Sequence, residues 1–146
     1  MSGHQILLVE DNPDDVELTR LAFAEAGSAH RLQAVSDGAE ALDYLLARGR
    51  HGGRDAADLP ALVLLDLNLP RLDGRDVLKA IRATPATQCL PVVVLTTSAE
   101  PRDVDQAYAL GANSYIQKPV EFERFVEVVR QVGRYWLAIN LPPGRC

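Results

Sequence analysis

Short apolar runs of strand length alternate along this chain with longer amphipathic segments of helix length. The apolar runs predict five β-strands, near residues 5–9, 31–35, 62–66, 91–96 and 114–117. The amphipathic segments that follow them predict five α-helices, near residues 13–26, 38–48, 74–83, 101–110 and 121–138. Strands that alternate with helices build βαβ units, so the pattern indicates an α/β fold with a parallel sheet.

Local signals mark several of these boundaries. Pro13 suits the first turn of the first helix, and Gly27 suits its end, where a left-handed residue is favoured. Asp37 followed by Glu40 resembles a capping box that opens the second helix. Residues 48–60 are rich in Gly, Arg and Asp with weak periodicity, and they predict an exposed insert within the same domain.

Size and composition narrow the class of protein. A chain of 146 residues predicts one domain spanning residues 1–146, with a C-terminal tail from about residue 139. The net charge of -5 and the lack of a Lys/Arg cluster argue against a nucleic-acid partner. No apolar run approaches the roughly 20 residues that cross a bilayer, and no leader peptide is visible. We therefore expect a cytoplasmic protein without membrane contact, with Cys89 and Cys146 reduced.

Polar side chains follow four of the five predicted strands at the point where each strand ends. Glu10 and Asp11 follow the first strand, Asp66 the third, Thr96 the fourth and Lys118 the fifth. In open parallel sheets, ligands bind outside the carboxyl ends of the strands, near the point where the strand order reverses. We therefore expect three carboxylates, a hydroxyl and an ammonium to share one cleft.

Three crowded carboxylates repel one another unless a cation lies among them. Mg²⁺ takes oxygen ligands, keeps several waters and is often held by one or two carboxylates plus a phosphate. The sequence therefore predicts a Mg²⁺ site, which Mn²⁺ could also occupy. Asp11 and Asp66 are the predicted direct ligands, Glu10 a ligand through water, and the backbone carbonyl of Asn68 a third protein ligand.

The same residues are suited to phosphoryl transfer. Beside a metal ion and Lys118, Asp66 would stay ionised and could attack phosphorus to form an acyl phosphate. Thr96 could donate a hydrogen bond to a phosphoryl oxygen, while Lys118 and the metal neutralise the others. The Lys118–Pro119 bond is also a candidate cis peptide that would direct the ammonium into the cleft.

The polar motifs, taken in order, resemble the receiver domain of two-component response regulators over nearly the whole chain. The matching pieces are Leu8-Val9-Glu10-Asp11-Asn12, Leu65-Asp66-Leu67-Asn68-Leu69-Pro70 with Asp73-Gly74, Leu95-Thr96-Thr97-Ser98, Gly111-Ala112 and Tyr115-Ile116-Gln117-Lys118-Pro119. The resemblance implies a doubly wound five-stranded sheet of flavodoxin-like order 2-1-3-4-5 with five flanking helices. It also implies phosphoryl transfer from a phosphohistidine of a sensor histidine kinase.

The resemblance assigns a role to each matching site residue. Asp66 matches the phosphoacceptor, Glu10 and Asp11 the acidic pair, and Asn68 the carbonyl ligand. Thr96 matches the switch hydroxyl, Tyr115 the switch aromatic and Lys118 the family's lysine. The long insert and the Trp136…Leu141-Pro142 tail are similar to small single-domain regulators paired with bacteriophytochromes, so a bacteriophytochrome is the expected kinase.

Other polar residues near these motifs have structural interpretations. Asp14, Asp15 and Glu17 are interpreted as favourable charges at a helix N-terminus rather than metal ligands. Asp73-Gly74 is interpreted as a turn. Thr97 and Ser98 are expected to cap the helix that follows them.

The last predicted helix carries more apolar surface than one buried stripe needs. A core-facing stripe is predicted at Phe122, Phe125, Val126, Val129, Val132 and Trp136. Val128, Tyr135, Ile139 and Leu141 then form a second apolar face, which predicts an interaction surface. We expect a homodimer through the face of helix four, strand five and helix five, in the region of Tyr135, Trp136 and Ile139. The alternative is that the tail folds back over its own sheet.

The leading hypothesis is a signalling protein, not an enzyme, in which phosphorylated Asp66 draws Thr96 inward and lets Tyr115 move. One alternative is a hydrolase that turns over phosphate esters through an aspartyl-phosphate. Such enzymes usually need a second acid two residues after the nucleophile, where this chain has Asn68. The other alternative is a phosphorylation-independent adaptor with the same fold.

Overall fold

The computed structural model describes residues 5–26 and 31–143, and within these residues the chain forms five strands and five α-helices. The strands are β1 (Gln5–Val9), β2 (Arg31–Val35), β3 (Leu62–Leu65), β4 (Val92–Thr96) and β5 (Ser114–Gln117). The helices are α1 (Pro13–Glu25), α2 (Gly38–Leu45), α3 (Gly74–Ala83), α4 (Pro101–Ala109) and α5 (Phe122–Arg134). All neighbouring strands are parallel in the order β2-β1-β3-β4-β5, which confirms the predicted doubly wound fold.

Alternate residues of the central strands divide the core into two layers, because successive side chains of a strand point to opposite faces. Leu7, Val63 and Val94 belong to the layer that packs under α2, α3 and α4. Leu8, Leu64 and Val93 belong to the layer that packs under α1 and α5. The sheet is therefore covered on both faces, and this explains why its central strands read as continuous apolar runs.

The register of the strands brings the predicted site residues to one edge. Val9 pairs with Leu65, so the residues that follow these strands are adjacent, and the amide of Asp66 donates to the carbonyl of Val9 at 3.1 Å. At the end of the β4–β5 pair, the amide of Lys118 donates to the carbonyl of Thr96 at 2.7 Å. The backbone ladder itself therefore places Asp66 and Lys118 at the same end of the sheet.

Helix caps explain where α1 and α2 begin and end. The Asn12 side chain caps α1 by accepting from the amide of Asp14 at 2.9 Å, with Pro13 as the first helical residue. The Asp37 side chain accepts from the amide of Glu40 at 2.8 Å, whereas the Glu40 carboxylate accepts from Ser36, so only half of the predicted capping box forms.

The ends of these two helices were predicted less well. α1 ends at Glu25, and the predicted end signal at Gly27 lies outside the described residues. α2 ends three residues earlier than predicted, because Ala47 adopts a left-handed backbone with φ of 53°.

The insert between α2 and β3 is mostly exposed, and a few contacts attach it to α2. A 3₁₀ turn spans Gly49–His51, and His51 Nε2 lies 3.0 Å from Glu40 Oε2. The Arg54 guanidinium stacks 3.9 Å from the ring centroid of Tyr44 and also donates to the Tyr44 carbonyl.

The C-terminal helix departs from the predicted core stripe. Four of the predicted residues are buried: Phe125, Val126, Val129 and Val132. Phe122 is 40% exposed, so its prediction as a core residue is wrong. A π-helical turn over Tyr135–Ile139 adds residues to the last turn, and it buries Leu137 while Trp136 is half-buried. Of the expected second apolar face, Tyr135, Ile139 and Leu141 are exposed, whereas Val128 is partly buried against the core.

Two local expectations are corrected. Cys89 is disulfide-bonded rather than a reduced thiol. No cis peptide occurs in the described parts of the chain, so the Lys118–Pro119 bond is trans, and it is the β4–β5 register that brings Lys118 to the cleft. Within the same residues, none of the helices combines the length and the hydropathy that a membrane crossing would require.

Candidate functional site

Three carboxylates meet at the carboxyl end of the sheet. Glu10 and Asp11 follow β1 and Asp66 follows β3, and each offers an oxygen within 4.8 Å of the oxygens of the others. Glu10 is 3% exposed and Asp66 is 9% exposed, whereas Asp11 is exposed. The cluster therefore has a buried floor and an open side from which a small ligand can approach.

Asp66 is held by groups from three elements. Its Oδ1 accepts from the Thr96 hydroxyl at 3.0 Å and from the amide of Asn68 at 3.1 Å. Its Oδ2 lies 3.4 Å from Lys118 Nζ. Thr96 is fully buried at the end of β4, so its hydroxyl is fixed in place by the core. The carboxylate is thus oriented before any ligand binds.

Lys118 also contacts the carboxylate of Asp15, a residue that the sequence analysis does not include in the site. Its Nζ donates to Glu10 Oε1 and, at 3.1 Å, to Asp15 Oδ2. Asp15 lies in the first turn of α1 and was interpreted only as a favourable helix charge. The available signal was its spacing: it is the third helical residue after the Asn12 cap, and side chains at this position point back toward the preceding strand end.

Burial and charge act against each other at this cluster. Burial raises the pKa of Glu10 to about 7, and the charge of Asp66 adds to the rise, while Lys118 and the amide of Asn12 counteract it. Burial alone would lower the pKa of Lys118, but its contacts with Glu10, Asp66 and Asp15 raise the pKa above its usual value. The site therefore holds more negative charge than its single ammonium offsets.

The start of α3 is built against the phosphoacceptor candidate. A Cβ at Gly74 would lie 2.2 Å from the backbone carbonyl oxygen of Asp66, so only glycine lets the helix approach this closely. Asp73 caps the helix by accepting from the amide of Arg75 at 2.8 Å, as its interpretation as a turn residue suggests.

A chain of polar contacts joins α3 to the loop after β4. Arg75 donates to Asp103 Oδ1 at 3.1 Å and to Gln106 at 2.8 Å, and Asp103 Oδ2 accepts from the Ser98 hydroxyl at 2.6 Å. The Ser98 hydroxyl also accepts from the amide of Glu100, so Ser98 satisfies one donor at the start of α4, as expected. Within the described residues, the expected cap of α4 by the Thr97 side chain is not seen; the Thr97 carbonyl accepts from the Gln117 side chain at 3.2 Å.

Tyr115 is tied to the same loop. Its hydroxyl donates to the carbonyl of Ser98 at 2.9 Å, and this carbonyl lies two residues after Thr96. The sequence did not single out the Arg75–Asp103 pair, because two residues on different helices carry no spacing signal. Hydrogen bonds thus connect the loop after Thr96 both to Tyr115 and to α3.

The donor set fits a hard divalent cation, because three carboxylate oxygens gather beside one another and Mg²⁺ and Mn²⁺ prefer oxygen ligands. Glu10 Oε1 and Oε2 already accept from Lys118 and Asn12, which fits the predicted contact through water. Asn68 is exposed, and its backbone amide donates to Asp66 Oδ1. The use of its backbone carbonyl as a metal ligand stays a prediction. The structure thus brings Glu10, Asp11, Asp66, Thr96 and Lys118 together.

Comparisons with known proteins agree with this architecture. The family model described as the response regulator receiver domain matches residues 6–130. A probable methanogenesis regulatory protein, FilR2 of Methanothrix harundinacea, is 45% identical over 95% of this chain and 87% of its own length. The response regulator Rcp1 of Synechocystis is 37% identical over 94% of this chain and 92% of its own length.

Solved structures show the same likeness. The phosphorylated cyanobacterial phytochrome response regulator RcpA has a TM-score of 0.89 at 37% identity, covering 98% of this chain and 100% of its own. A Mn²⁺-bound form of Rcp1 has a TM-score of 0.86 at 35% identity, covering 97% of this chain and 99% of its own. The bacteriophytochrome response regulator RtBRR has a TM-score of 0.78 at 42% identity, covering 97% of this chain and 85% of its own.

Proposed function

This chain belongs to the response regulator receiver domain family, and from that premise we propose that it is a stand-alone regulator that accepts a phosphoryl group on Asp66 from a sensor histidine kinase. Residues 1–146 form one receiver domain in this proposal, acting in the cytoplasm as a signalling protein rather than as an enzyme on external substrates. No nucleic-acid or membrane contact is required of it.

One observation carries the proposal: Asp66 is a buried residue, and its carboxylate lies between the Thr96 hydroxyl at 3.0 Å and the Lys118 ammonium at 3.4 Å. Both groups donate to the carboxylate, so they orient the oxygen atoms that act as the nucleophile. Because both donors contact the carboxylate, they could also donate to the oxygens of a phosphoryl group bound to it. Such positioning is the main contribution of a protein to phosphoryl transfer.

The chemical step follows from this arrangement. A carboxylate oxygen of Asp66 forms a bond to phosphorus as the bond from phosphorus to the histidine nitrogen of the kinase breaks. The departing imidazole keeps the electron pair of the broken bond and takes up a proton. Thr96 Oγ1 and Lys118 Nζ, which contact Asp66 beforehand, then donate to oxygens of the phosphoryl group.

Glu10, Asp11 and Asp66, with the carbonyl of Asn68, would hold Mg²⁺ or Mn²⁺. The bound cation would supply positive charge that offsets the charge of the phosphoryl oxygens. The Mn²⁺-bound form of Rcp1 supports this choice of cation. Glu10 keeps Lys118 oriented at the same time, because its Oε1 accepts from the ammonium.

The phosphoacceptor is tested by incubating the protein with acetyl phosphate and Mg²⁺ and measuring the intact mass. We expect one added phosphoryl group on the wild type and on Asp58→Asn, an exposed aspartate in the insert. We expect none on Asp66→Asn. An adduct that persists in Asp66→Asn would refute the assigned site, and steady turnover of a chromogenic phosphate ester would favour the hydrolase instead.

The kinase is proposed to be a bacteriophytochrome, because relatives at 37% and 42% identity are described as phytochrome and bacteriophytochrome response regulators. The test is phosphotransfer from a panel of histidine kinases that includes a phytochrome-type kinase in light and dark. FilR2, at 45% identity, is described as a probable methanogenesis regulatory protein rather than a phytochrome regulator, so the panel needs kinases without a chromophore as well. Faster transfer from those kinases would contradict the phytochrome pairing.

We propose that phosphorylation of Asp66 changes the surface that a partner contacts, and that Tyr115 moves as part of this change. Its hydroxyl is tied to the Ser98 carbonyl, so an inward movement of Thr96 would pull on this hydrogen bond. Unchanged partner affinity in Asp66→Asn and Lys118→Ala would favour the phosphorylation-independent adaptor.

The surface proposed for a second copy is the face of α4, β5 and α5. Tyr135 and Ile139, in the turn that continues α5, expose 47% and 58% of their surface, beside the half-buried Trp136. Sedimentation of wild type and Ile139→Glu tests this face, with Leu18→Glu on α1, which is 38% exposed, as the matched control. We expect only Ile139→Glu to be monomeric, and equal masses for all three proteins would refute the interface.

A further inference from the structure

The ammonium of Lys118 is fully committed before any phosphoryl group arrives. An ammonium has three N–H donors, and Lys118 Nζ has three carboxylate partners: Glu10, Asp15 and Asp66. The side chain is 10% exposed, so water is not the main partner of its charge. A phosphoryl oxygen on Asp66 can therefore accept from Lys118 only if one of the present contacts weakens.

Asp15 is the partner that can be released most easily. Its side chain is 34% exposed, compared with 3% for Glu10 and 11% for Asp66, so water can replace the ammonium at its carboxylate. Asp66 is itself the group that becomes phosphorylated. Glu10 is the least exposed of the three carboxylates, so water replaces the ammonium there least easily.

The backbone of Asp15 is fixed, so its side chain stays near Lys118. Its amide donates to the Asn12 side chain at 3.3 Å, and its carbonyl accepts from the Thr19 hydroxyl at 2.7 Å. The N-terminus of α1 also favours its negative charge. The helix therefore holds Asp15 where its carboxylate can accept from the Lys118 ammonium.

We propose that Asp15 is a positioning residue that holds Lys118 in the unphosphorylated state and competes with the phosphoryl group for its third N–H. This inference rests on the proposed function of Asp66. It predicts that removing the charge of Asp15 frees Lys118 for the phosphoryl group and speeds phosphorylation. The expected gain is about two- to fivefold, the range for one partly exposed ion pair.

The chain offers a matched control in Asp14, which precedes Asp15 in the same helical turn and is exposed. Asp14→Asn and Asp15→Asn change the net charge and the helix terminus equally, but only Asp15 contacts Lys118. Initial rates of Asp66 phosphorylation by acetyl phosphate at saturating Mg²⁺ are compared for wild type, both Asn variants and Asp15→Glu. We expect acceleration in Asp15→Asn alone, and a rate close to wild type when Asp15→Glu restores the charge.

A spectroscopic measurement observes the contact directly. The chain has two lysines, Lys79 and Lys118, so the ¹⁵Nζ signal of Lys118 can be assigned in a Lys79→Arg background. In metal-free, unphosphorylated protein we expect this signal to shift in Asp15→Asn and not in Asp14→Asn. This readout does not depend on catalysis, and a role confined to the stability of α1 would not move it.

The outcomes separate the two proposals. If the wild type takes up no phosphoryl group on Asp66, the proposed function fails, while the Lys118 signal still reports on the contact. If the wild type is phosphorylated but Asp15→Asn matches Asp14→Asn in rate, or is slower, the competition by Asp15 is refuted. An unshifted Lys118 signal in Asp15→Asn refutes the contact itself.

Discussion

The raised pKa of Glu10 predicts an unusual dependence of stability on pH. Burial holds this pKa at about 7, above the ordinary value of 4.5, so the folded protein binds the proton more tightly than the unfolded chain does. Stability gained from this proton is present at low pH and is lost as the pH rises from 4.5 through about 7. The metal-free protein should therefore become less stable toward neutral pH, the opposite of the usual behaviour of a carboxylate in an ion pair.

The size of the effect follows from linkage. A pKa difference of one unit between the folded and unfolded states corresponds to about 1.4 kcal/mol, so the rise at Glu10 corresponds to about 3 kcal/mol in total. Glu10 is 3% exposed, so solvent screens this term little. About 2 kcal/mol of the loss falls between pH 5.5 and pH 8.0, and the remainder falls at lower pH.

The assay is urea unfolding at several pH values from 5.5 to 8.0 in the presence of a chelator. Wild type is compared with Glu10→Gln, which cannot lose a proton at this position, and with Glu127→Gln, an exposed carboxylate on α5 as control. The free energy of unfolding of the wild type should fall by about 2 kcal/mol relative to Glu10→Gln over this range. The Glu127→Gln variant should follow the wild type.

Added Mg²⁺ provides a second test of the same site. A cation binds deprotonated carboxylates, so it should stabilise the wild type more at pH 8.0 than at pH 5.5 and reduce the slope. Parallel curves for wild type and Glu10→Gln without metal would refute the assignment of the titration to Glu10. A slope that Mg²⁺ leaves unchanged would show that the cation does not bind at these carboxylates.

Three further predictions concern the elements that support the site. Asp73→Ala removes the cap of α3 and should lower the free energy of urea unfolding by about 1 kcal/mol; an unchanged midpoint would contradict the capping role. Gly74→Ala should destabilise the protein and slow phosphorylation of Asp66, because the new Cβ would meet the Asp66 carbonyl. As a control, Gly133→Ala should leave stability and phosphorylation rate near wild type, because its Cβ would have its nearest neighbour at 3.7 Å. Arg75→Met removes the contacts to Asp103 and Gln106 and should lower the free energy of unfolding by about 1–2 kcal/mol. Hydrogen exchange of the amides of residues 97–100 should become faster in this variant. Unchanged exchange there would argue that the Arg75–Asp103 pair does not restrain the loop.

Much of the fold could be predicted from the sequence because its signals are local. Continuous apolar runs such as Leu62–Leu65 indicate strands buried on both faces, and their alternation with amphipathic segments indicates parallel pairing. Polar residues at the strand ends then had to meet at one edge, and Glu10, Asp66 and Lys118 do so. The order of the strands came from resemblance to a family, since no local pattern specifies which strands are neighbours.

Helix surfaces and ends were less predictable, because they depend on packing and on backbone geometry. A regular helical period placed Phe122 and Trp136 in the core, but Phe122 at the start of α5 is 40% exposed. The π-helical turn after Arg134 buries Leu137, and Trp136 is only partly buried against the core. The early end of α2 depends on the left-handed backbone at Ala47, a residue type that carries no such signal.

By itself, the sequence determined which chemical groups this protein can bring to the end of its sheet: acidic residues, a hydroxyl and an ammonium after successive apolar runs. Only the tertiary structure decided how those groups share their charges, with Lys118 divided among Glu10, Asp15 and Asp66 and with Glu10 buried deeply enough to hold a proton near neutral pH. The physical reason is that hydropathy patterns and strand ends are local properties of a chain. Distances and desolvation, by contrast, depend on residues more than a hundred positions apart.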